Sequence, residues 1–132
     1  MIKKDKVLVC DIDGTITTIK DKHEDYSNLK PVQSLVDKII RLKSEGWHIV
    51  FFTARNMRTY DGNISSIEEN MLPILIDWLN KHNIPYDEIQ IGKPWCGNRG
   101  FYVDDKTIRP KEFLELSDQE IEKLLARDRL NP

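Results

Sequence analysis

The sequence predicts an α/β fold built on a parallel sheet, and three observations support this prediction. Short apolar runs alternate along the chain with longer segments in which apolar residues recur every three or four positions. The apolar runs lack polar alternation, which is typical of strands that a parallel sheet buries on both faces. Each run also ends in polar or charged residues, as expected where the carboxyl ends of parallel strands line a ligand crevice.

The first part of the chain is predicted to form a strand, a helix and a second strand. The run Val7–Cys10 is the first strand, buried on both faces. Pro31 favours a helix start, and the apolar spacing predicts an amphipathic helix over 31–45. The second strand follows at 47–52. The polar segment 16–30 is expected to cross the surface, where it could form a small flap near the end of the first strand.

The alternation of helix and strand continues after the second strand. An apolar stripe predicts a helix over 67–82, and Pro73 within it predicts a kink or a break, because proline cannot donate a helical hydrogen bond. Residues 88–91 form the predicted third strand and residues 101–103 the fourth. A short helix is expected after Pro110.

The end of the chain carries a helix start signal. Ser117 with Glu120 makes a capping box, which predicts a final helix that runs to about residue 127. This helix could cover an edge of the sheet or bind a partner.

The bulk composition bounds the class of protein. The 132 residues predict one domain over 1–132, with 39% hydrophobic and 32% charged residues and a net charge of -2. This charge gives no general attraction to nucleic acid or to an anionic membrane, and no apolar run approaches the roughly 20 residues that span a bilayer. The two cysteines, Cys10 and Cys96, form no disulfide framework. We therefore expect a cytoplasmic protein without nucleic-acid or membrane partners, and a homo-oligomer is compatible with the sequence.

The first strand runs directly into two carboxylates. Asp11 and Asp13 are one residue apart, and Gly14 and Thr15 follow them. Two carboxylates this close repel each other unless a cation lies between them or one keeps a proton. Mg²⁺ is the expected cation, because it prefers oxygen ligands and binds through a few carboxylates with water and phosphate. An aspartate can also act as a nucleophile and form an aspartyl-phosphate.

The other predicted strands end in residues that complement this pair. They are Thr53-Ala54-Arg55 after the second strand, Gly92-Lys93-Pro94 after the third, and Asp104-Asp105 after the fourth. In a parallel sheet all four strand ends converge on one crevice. The set supplies carboxylates for a metal, a hydroxyl and a lysine for a phosphoryl group, and a nucleophile, which together favour phosphoryl transfer.

These four motifs resemble those of the haloacid dehalogenase (HAD) superfamily, whose members are mostly phosphatases. More narrowly, the segments Asp-Ile-Asp-Gly-Thr-Ile, Phe-Phe-Thr-Ala-Arg-Asn-Met-Arg-Thr, Ile-Gly-Lys-Pro-Trp and Tyr-Val-Asp-Asp-Lys resemble the small capsule-biosynthesis phosphatases of bacteria. The resemblance covers roughly residues 5–116. It implies a three-layer α/β/α Rossmann-like sheet of the HAD type and a Mg²⁺-dependent phosphomonoesterase that acts on a sugar or polyol phosphate.

The resemblance also implies roles for the catalytic residues. Asp11 would be the nucleophile that takes the phosphoryl group. Asp13 would protonate the leaving oxygen and then activate water. Thr53 would bind the phosphoryl oxygens, and Lys93 would offset the negative charge on Asp11 and the phosphate.

The metal and substrate contacts follow from the same resemblance. Mg²⁺ would be bound by Asp11, the backbone carbonyl of Asp13, and the late acidic pair Asp104 and Asp105. Asp105 is the expected direct ligand, with Asp104 behind it. The predicted substrate-binding residues are Gly14, Thr15, Ala54, Arg55 and Arg58. The two arginines suit bidentate contacts to phosphate or carboxylate groups.

The intervals between the motifs leave no room for a folded cap domain. The fold is therefore expected to be capless, or to have only a small flap formed by loops 16–30 and 54–66. Two alternatives remain open, which are a polynucleotide 3′-phosphatase and a phosphate-responsive, receiver-like binding module without catalysis. Against the second, the acidic pair of a receiver precedes its phosphorylated aspartate, whereas Asp104-Asp105 comes last here.

Overall fold

The structure of the protein, a computed structural model, describes residues 4–127 together with residue 130. The chain divides into two compact units, Met1–Trp95 and Cys96–Pro132. The first unit contains the sheet and its helices. The second contains two helices and the late acidic pair. The assignment of 1–132 to one domain stays a prediction.

A parallel sheet of three strands forms the centre of the first unit. The strands are β1 (Val7–Cys10), β2 (His48–Phe52) and β3 (Glu88–Gln90). They lie in the order β1-β2-β3, and both neighbouring pairs are parallel, with Val9 of β1 opposite Val50 of β2. This arrangement confirms the predicted α/β class and is consistent with a Rossmann-like fold.

The core lies around the central strand. Ile49, Val50 and Phe51 of β2 are almost completely buried. Helix α1 (Gln33–Ser44) contacts β2, and its apolar stripe is buried as the spacing predicts. The buried residues of that stripe are Leu35, Val36, Ile39 and Leu42.

The predicted break at Pro73 is confirmed. Helix α2 (Ile64–Asn70) ends just before Met71, and helix α3 (Leu72–Lys81) begins after it with Pro73 in its first turn. Proline is tolerated there because the first N–H groups of a helix have no partner within the helix. Helix α2 starts earlier than predicted, since the side chain of Asn63 caps it.

The segment 16–30 is packed against the unit. Ile16 and Leu29 are buried, and a short 3-10 helix, η1 (Tyr26–Asn28), lies between them. The indole Nε1 of Trp78 donates a hydrogen bond of 2.8 Å to the carbonyl of Leu29, which ties the end of this segment to α3. The two ends of this segment are therefore packed into the unit, whereas residues 21–25 between them are exposed, as expected of a segment that crosses the surface.

The predicted strand at 101–103 is wrong. The structure gives these residues no strand, and Phe101 and Val103 are 80% and 87% exposed. Aromatic and β-branched residues favour a strand only where a neighbouring strand and a packed face receive them. The burial of β1 on both faces is also wrong at Val9, which is 58% exposed. β1 is an edge strand of the described sheet, so only one neighbouring strand supplies side chains that can pack beside Val9.

The second unit contains the two helices that the sequence predicts. Helix α4 (Pro110–Glu115) starts at its proline, and helix α5 is Asp118–Arg127. The capping box that precedes α5 is confirmed. The backbone N–H of Glu120 donates to the hydroxyl of Ser117, and the N–H of Ser117 donates to the Glu120 carboxylate. Within the described residues no helix has both the length and the apolar character to cross a membrane.

Candidate active site

The chain leaves β1 through a tight turn that carries both early carboxylates. The carbonyl of Ile12 accepts hydrogen bonds from the N–H groups of Thr15, Ile16 and Thr17 at 3.0–3.2 Å. Ile12 is fully buried, so the alternation of side chains turns its neighbours Asp11 and Asp13 away from the core. Gly14, at φ +81°, adopts a conformation that other residues rarely tolerate. The turn therefore presents two aspartates at the carboxyl end of the strand.

Asp11 lies between a hydroxyl and an ammonium group. The Thr15 hydroxyl donates to Oδ2 of Asp11 at 3.1 Å, and the Lys93 ammonium lies 3.6 Å from Oδ1. The Asp11 side chain remains 34% exposed, so a substrate can reach it. The structure therefore brings together the predicted nucleophile and the predicted charge-balancing lysine, which are far apart in sequence.

The loop that carries Lys93 is held to the end of β2. The backbone N–H of Lys93 donates to the carbonyl of Thr53 at 3.1 Å, and the N–H of Thr53 donates to the carbonyl of Gln90 at 3.0 Å. Gly92 takes φ +81°, and a β-carbon there would lie 2.7 Å from a methyl group of Ile64. The positive φ therefore favours glycine directly before the lysine, and a side chain there would also displace the end of Ile64.

Asp13 forms a bidentate ion pair with Arg55. Nε of Arg55 donates to Oδ2 of Asp13 at 3.0 Å, and Nη2 donates to Oδ1 at 2.8 Å. The Arg55 side chain is 1% exposed, whereas Asp13 is 31% exposed. The two aspartates of the motif thus have different cationic partners, because Lys93 accompanies Asp11 and Arg55 accompanies Asp13.

The remaining predicted residues of the second motif differ in burial and in their contacts. Thr53 is buried, and its hydroxyl accepts a hydrogen bond of 3.0 Å from the backbone N–H of Arg55. Ala54 is half-buried. Arg58 is exposed, and its guanidinium carbon lies 5.4 Å from the ring centroid of Trp95. Arg58 and Trp95 are therefore accessible to a bound molecule, unlike Arg55.

Tyr26 belongs to the same cluster, although nothing in the sequence pointed to it. Its ring centroid lies 4.2 Å from the guanidinium carbon of Arg55. Burial raises the pKa of the Tyr26 phenol, and the negative charge of Asp13 raises it further, against an opposing effect of Arg55. A tyrosine in a polar segment carries no local signal of such a contact, so only the fold reveals it.

Cys10 lies directly before Asp11 but faces the core, as the strand alternation predicts. It is 7% exposed. Burial, with a smaller contribution from the charge of Asp11, raises the pKa of its thiol to about 12. The thiol therefore stays protonated near neutral pH, which makes Cys10 a core residue and a poor nucleophile.

Asp104 and Asp105 lie in the second unit, and both are exposed. Asp104 accepts a hydrogen bond of 2.9 Å from the backbone N–H of Lys106. That bond, followed by a hydrogen bond with Asp105, lowers the pKa of the Asp104 carboxyl. Across residues 4–127 and 130, no group of three or more His, Cys, Asp or Glu side chains is arranged to hold a metal ion. The roles of these two aspartates stay predictions.

The residues of the first unit still provide oxygen ligands of the kind that Mg²⁺ prefers. Mg²⁺ usually keeps several water molecules and binds to proteins through one or two carboxylates, with the phosphate of the substrate as a further ligand. The accessible carboxylate of Asp11 fits this chemistry. A site with few protein ligands is therefore compatible with the described geometry.

Comparison with solved structures finds a close relative. The protein is similar to an MCSG target from Vibrio cholerae, whose crystal structure it matches with a TM-score of 0.90 and 44% identity. The match covers 94% of this chain and 99% of that chain.

Two more distant matches are structures of a Pnkp1/Rnl/Hen1 complex, one of them described as an RNA repair complex. Both have a TM-score of 0.48, with 21% and 20% identity. They cover 83% of this chain but only 33% and 31% of the matched chains, and at that level they support no functional argument. No protein-family model matches the chain, and no curated protein matches it.

Proposed function

The chain belongs to the same protein family as the Vibrio cholerae protein, and from the chemistry of its own site we propose that it is a Mg²⁺-dependent phosphomonoesterase of the HAD type. The observation that carries the proposal is the arrangement of the two early aspartates. Asp11 is accessible and lies 3.6 Å from the Lys93 ammonium, whereas Asp13 is held by a separate cation, Arg55. One carboxylate is thus available as a nucleophile and the other for proton transfer.

In the first half of the reaction, a carboxylate oxygen of Asp11 attacks the phosphorus atom of the ester. The bond between phosphorus and the ester oxygen breaks, and the phosphoryl group is transferred to Asp11. The Asp13 carboxyl group gives its proton to the leaving oxygen, so an alcohol departs. The Lys93 ammonium offsets the negative charge that Asp11 and the phosphoryl oxygens share.

In the second half, water attacks the phosphorus atom of the aspartyl-phosphate. Asp13 takes a proton from this water, which restores its protonated form. The bond between phosphorus and the Asp11 oxygen breaks, and inorganic phosphate is released. Asp13 therefore acts first as an acid and then as a base, which is why a second carboxylate next to the nucleophile favours turnover.

Mg²⁺ would be held by the Asp11 carboxylate and the backbone carbonyl of Asp13, while the metal-binding roles of Asp104 and Asp105 stay predictions from the sequence. When bound, the ion neutralises the negative charge on the phosphoryl oxygens.

We further propose a sugar or polyol phosphate as the substrate, in the synthesis of surface polysaccharide. The resemblance to capsule-biosynthesis phosphatases supports this choice. The exposed Arg58 and Trp95 support it as well, because an arginine and an aromatic ring beside a site can bind a polar, hydroxyl-rich molecule.

The test is hydrolysis of p-nitrophenyl phosphate by the purified protein, with Mg²⁺ and with a chelator. We expect activity that requires the metal. We also expect Asp11→Asn to lower kcat by roughly three orders of magnitude or more, because the amide cannot act as the nucleophile. Asp37→Asn on the exposed face of α1 makes the same chemical change away from the site and should leave activity unchanged. Full activity in Asp11→Asn would refute the proposal.

A substrate screen then separates the alternatives. Phosphorylated sugars and polyols should give the highest kcat/KM. A preference for 3′-phosphorylated oligonucleotides would indicate a polynucleotide 3′-phosphatase instead. A stable phosphorylated protein that forms from a small phosphodonor, with no multiple turnover, would indicate a receiver-like module.

A further inference from the structure

Arg55 is a charged side chain that the fold buries almost completely. Only 1% of the side chain is exposed. Its two hydrogen bonds to Asp13 are 3.0 and 2.8 Å long, and each uses a different oxygen of the carboxylate. A bidentate pair of this kind fixes the plane of the carboxylate as well as its position.

Two further contacts hold Arg55 in this place. Its backbone N–H donates to the hydroxyl of Thr53, a buried residue that directly follows β2. The ring of Tyr26 lies 4.2 Å from the guanidinium carbon, within the range of a cation–π interaction. The side chain is therefore fixed by β2, by the turn after β1 and by the segment 16–30.

Arg58 differs in each of these respects. It is exposed, and its guanidinium carbon lies 5.4 Å from the ring of Trp95. A substrate can reach Arg58 without displacing a buried ion pair. The sequence alone gave both arginines the same role, and the structure separates them.

We propose that Arg55 is a positioning residue, which holds the Asp13 carboxyl group in the orientation needed for proton transfer to the leaving oxygen, and that it is not a substrate clamp. This inference rests on the proposed phosphatase function and deepens it. Each Asp13 oxygen accepts one hydrogen bond from Arg55 and keeps a second lone pair. A proton can therefore be carried on Asp13 and given up without breaking the pair.

The test compares two esters that differ in their need for an acid. A p-nitrophenolate group leaves without a proton, whereas the alkoxide of an alkyl phosphate such as glycerol phosphate must be protonated as it departs. An arginine that positions the acid will matter mainly for the alkyl ester. An arginine that binds the phosphate will matter equally for both, since the phosphoryl group is the same.

Arg55→Met and Arg55→Lys are measured on both esters, with Asp13→Asn as the reference for loss of the acid. We expect kcat for the alkyl phosphate to fall about 10- to 100-fold more than kcat for the aryl phosphate, with little change in KM. Arg55→Lys keeps the charge but cannot form the bidentate pair, so it should show the same selectivity. If Arg55→Met does not fold, the measurements on Arg55→Lys are sufficient for the test.

Two variants, Tyr26→Leu and Tyr26→Phe, test whether the contact with the Tyr26 ring helps to hold Arg55 in place. Tyr26→Leu should also lower kcat more for the alkyl ester than for the aryl ester, but by a smaller factor than the Arg55 variants, because it removes the ring that packs on Arg55. Tyr26→Phe keeps the ring and should match the wild type. Arg58→Met provides the contrast, with an expected rise in KM for glycerol phosphate and no selectivity in kcat.

The inference would be overturned if Arg55→Lys lowered kcat equally for both esters, or if its main effect were a higher KM. Either result would make Arg55 a substrate contact. Such a result would leave the proposed function standing, provided that the wild type is active and Asp11→Asn is not. An inactive wild type on every ester would instead refute the proposed function itself.

Discussion

The two ends of strand β2 both carry clusters of charge, and they differ in that one charged side chain, Arg55 at the carboxyl end, is almost completely buried. At the carboxyl end, the buried Arg55 holds Asp13. At the amino end, His48 Nε2 lies 2.6 Å from Glu88 Oε2, and the Lys43 ammonium lies 2.5 Å from Asp87. The charged side chains of this second cluster are between 18% and 38% exposed, so water surrounds them on one side.

The difference indicates which carboxylate the fold holds most firmly. Asp87 also accepts the backbone N–H of Ile49 at 2.7 Å, so it ties the start of β3 to β2. A surface ion pair can perform this structural role without a large desolvation penalty, because its charges stay in contact with water. Burying an arginine is costly, and a fold that buries Arg55 against a partly exposed carboxylate orients that carboxylate strongly. The predictions that follow test this contrast between the two ends.

The largest expected effect is on activity at the carboxyl end. Lys93→Met should lower kcat by about 100-fold, because it removes the cation beside Asp11 without removing the nucleophile. Initial rates with p-nitrophenyl phosphate measure this loss. Lys43→Met makes the same change at the amino end and should keep wild-type rates. Equal activity in the two variants would show that the carboxyl end has no special chemical role.

A smaller effect is expected on stability, again unequal between the two ends. Arg55→Met should lower the free energy of unfolding by about 2 kcal/mol, because it leaves the Asp13 carboxylate without its buried partner. Lys43→Met should cost less than about 1 kcal/mol, since its pair with Asp87 is partly exposed. Urea unfolding measures both. The contrast would fail if Lys43→Met were the more destabilising change.

The smallest expected effect depends on pH. The hydrogen bond from the Ile49 N–H, followed by that from Lys43, lowers the pKa of the Asp87 carboxyl. A lowered pKa in the folded state contributes stability above the ordinary aspartate value, and this contribution is lost as the pH falls through the folded value. Asp87→Asn should therefore cost up to about 1 kcal/mol at neutral pH, with solvent screening limiting the effect.

Thermal unfolding at several pH values checks this expectation. The difference between the wild type and Asp87→Asn should shrink as the pH falls below about 4, where the wild type loses the same interaction. A difference that grows in acid would contradict the assignment. Asp37→Asn, on the exposed face of α1, provides the matched control.

The sequence predicted the sheet and most helices because their signals are local. The apolar runs of β1, β2 and β3 and the spacing of α1 depend on residues that are neighbours in the chain. The strand predicted at 101–103 failed for the opposite reason. Its composition favours a strand, but a strand also needs a neighbouring edge, and no local pattern reveals whether one is present.

The meeting of Asp11 with Lys93 could be predicted from the sequence, but the other contacts among the candidate residues could not. The strand ends identified Asp11 and Lys93, and the parallel sheet accounts for their meeting. The pairing of Arg55 with Asp13 could not be predicted, because an arginine after a strand can turn outward to a ligand or back to a carboxylate. Tyr26 carried no signal at all, since its contact with Arg55 exists only once segment 16–30 has packed.

The most direct test of the account is to trap the phosphoryl group on the protein. Wild type and Asp13→Asn are mixed with p-nitrophenyl phosphate and Mg²⁺, quenched in acid, digested and analysed by mass spectrometry. The account predicts a phosphoryl group on Asp11, with more of it in Asp13→Asn, because that variant lacks the base that activates water. A phosphoryl group on another residue, or turnover with Asp11 unmodified in both proteins, would contradict it.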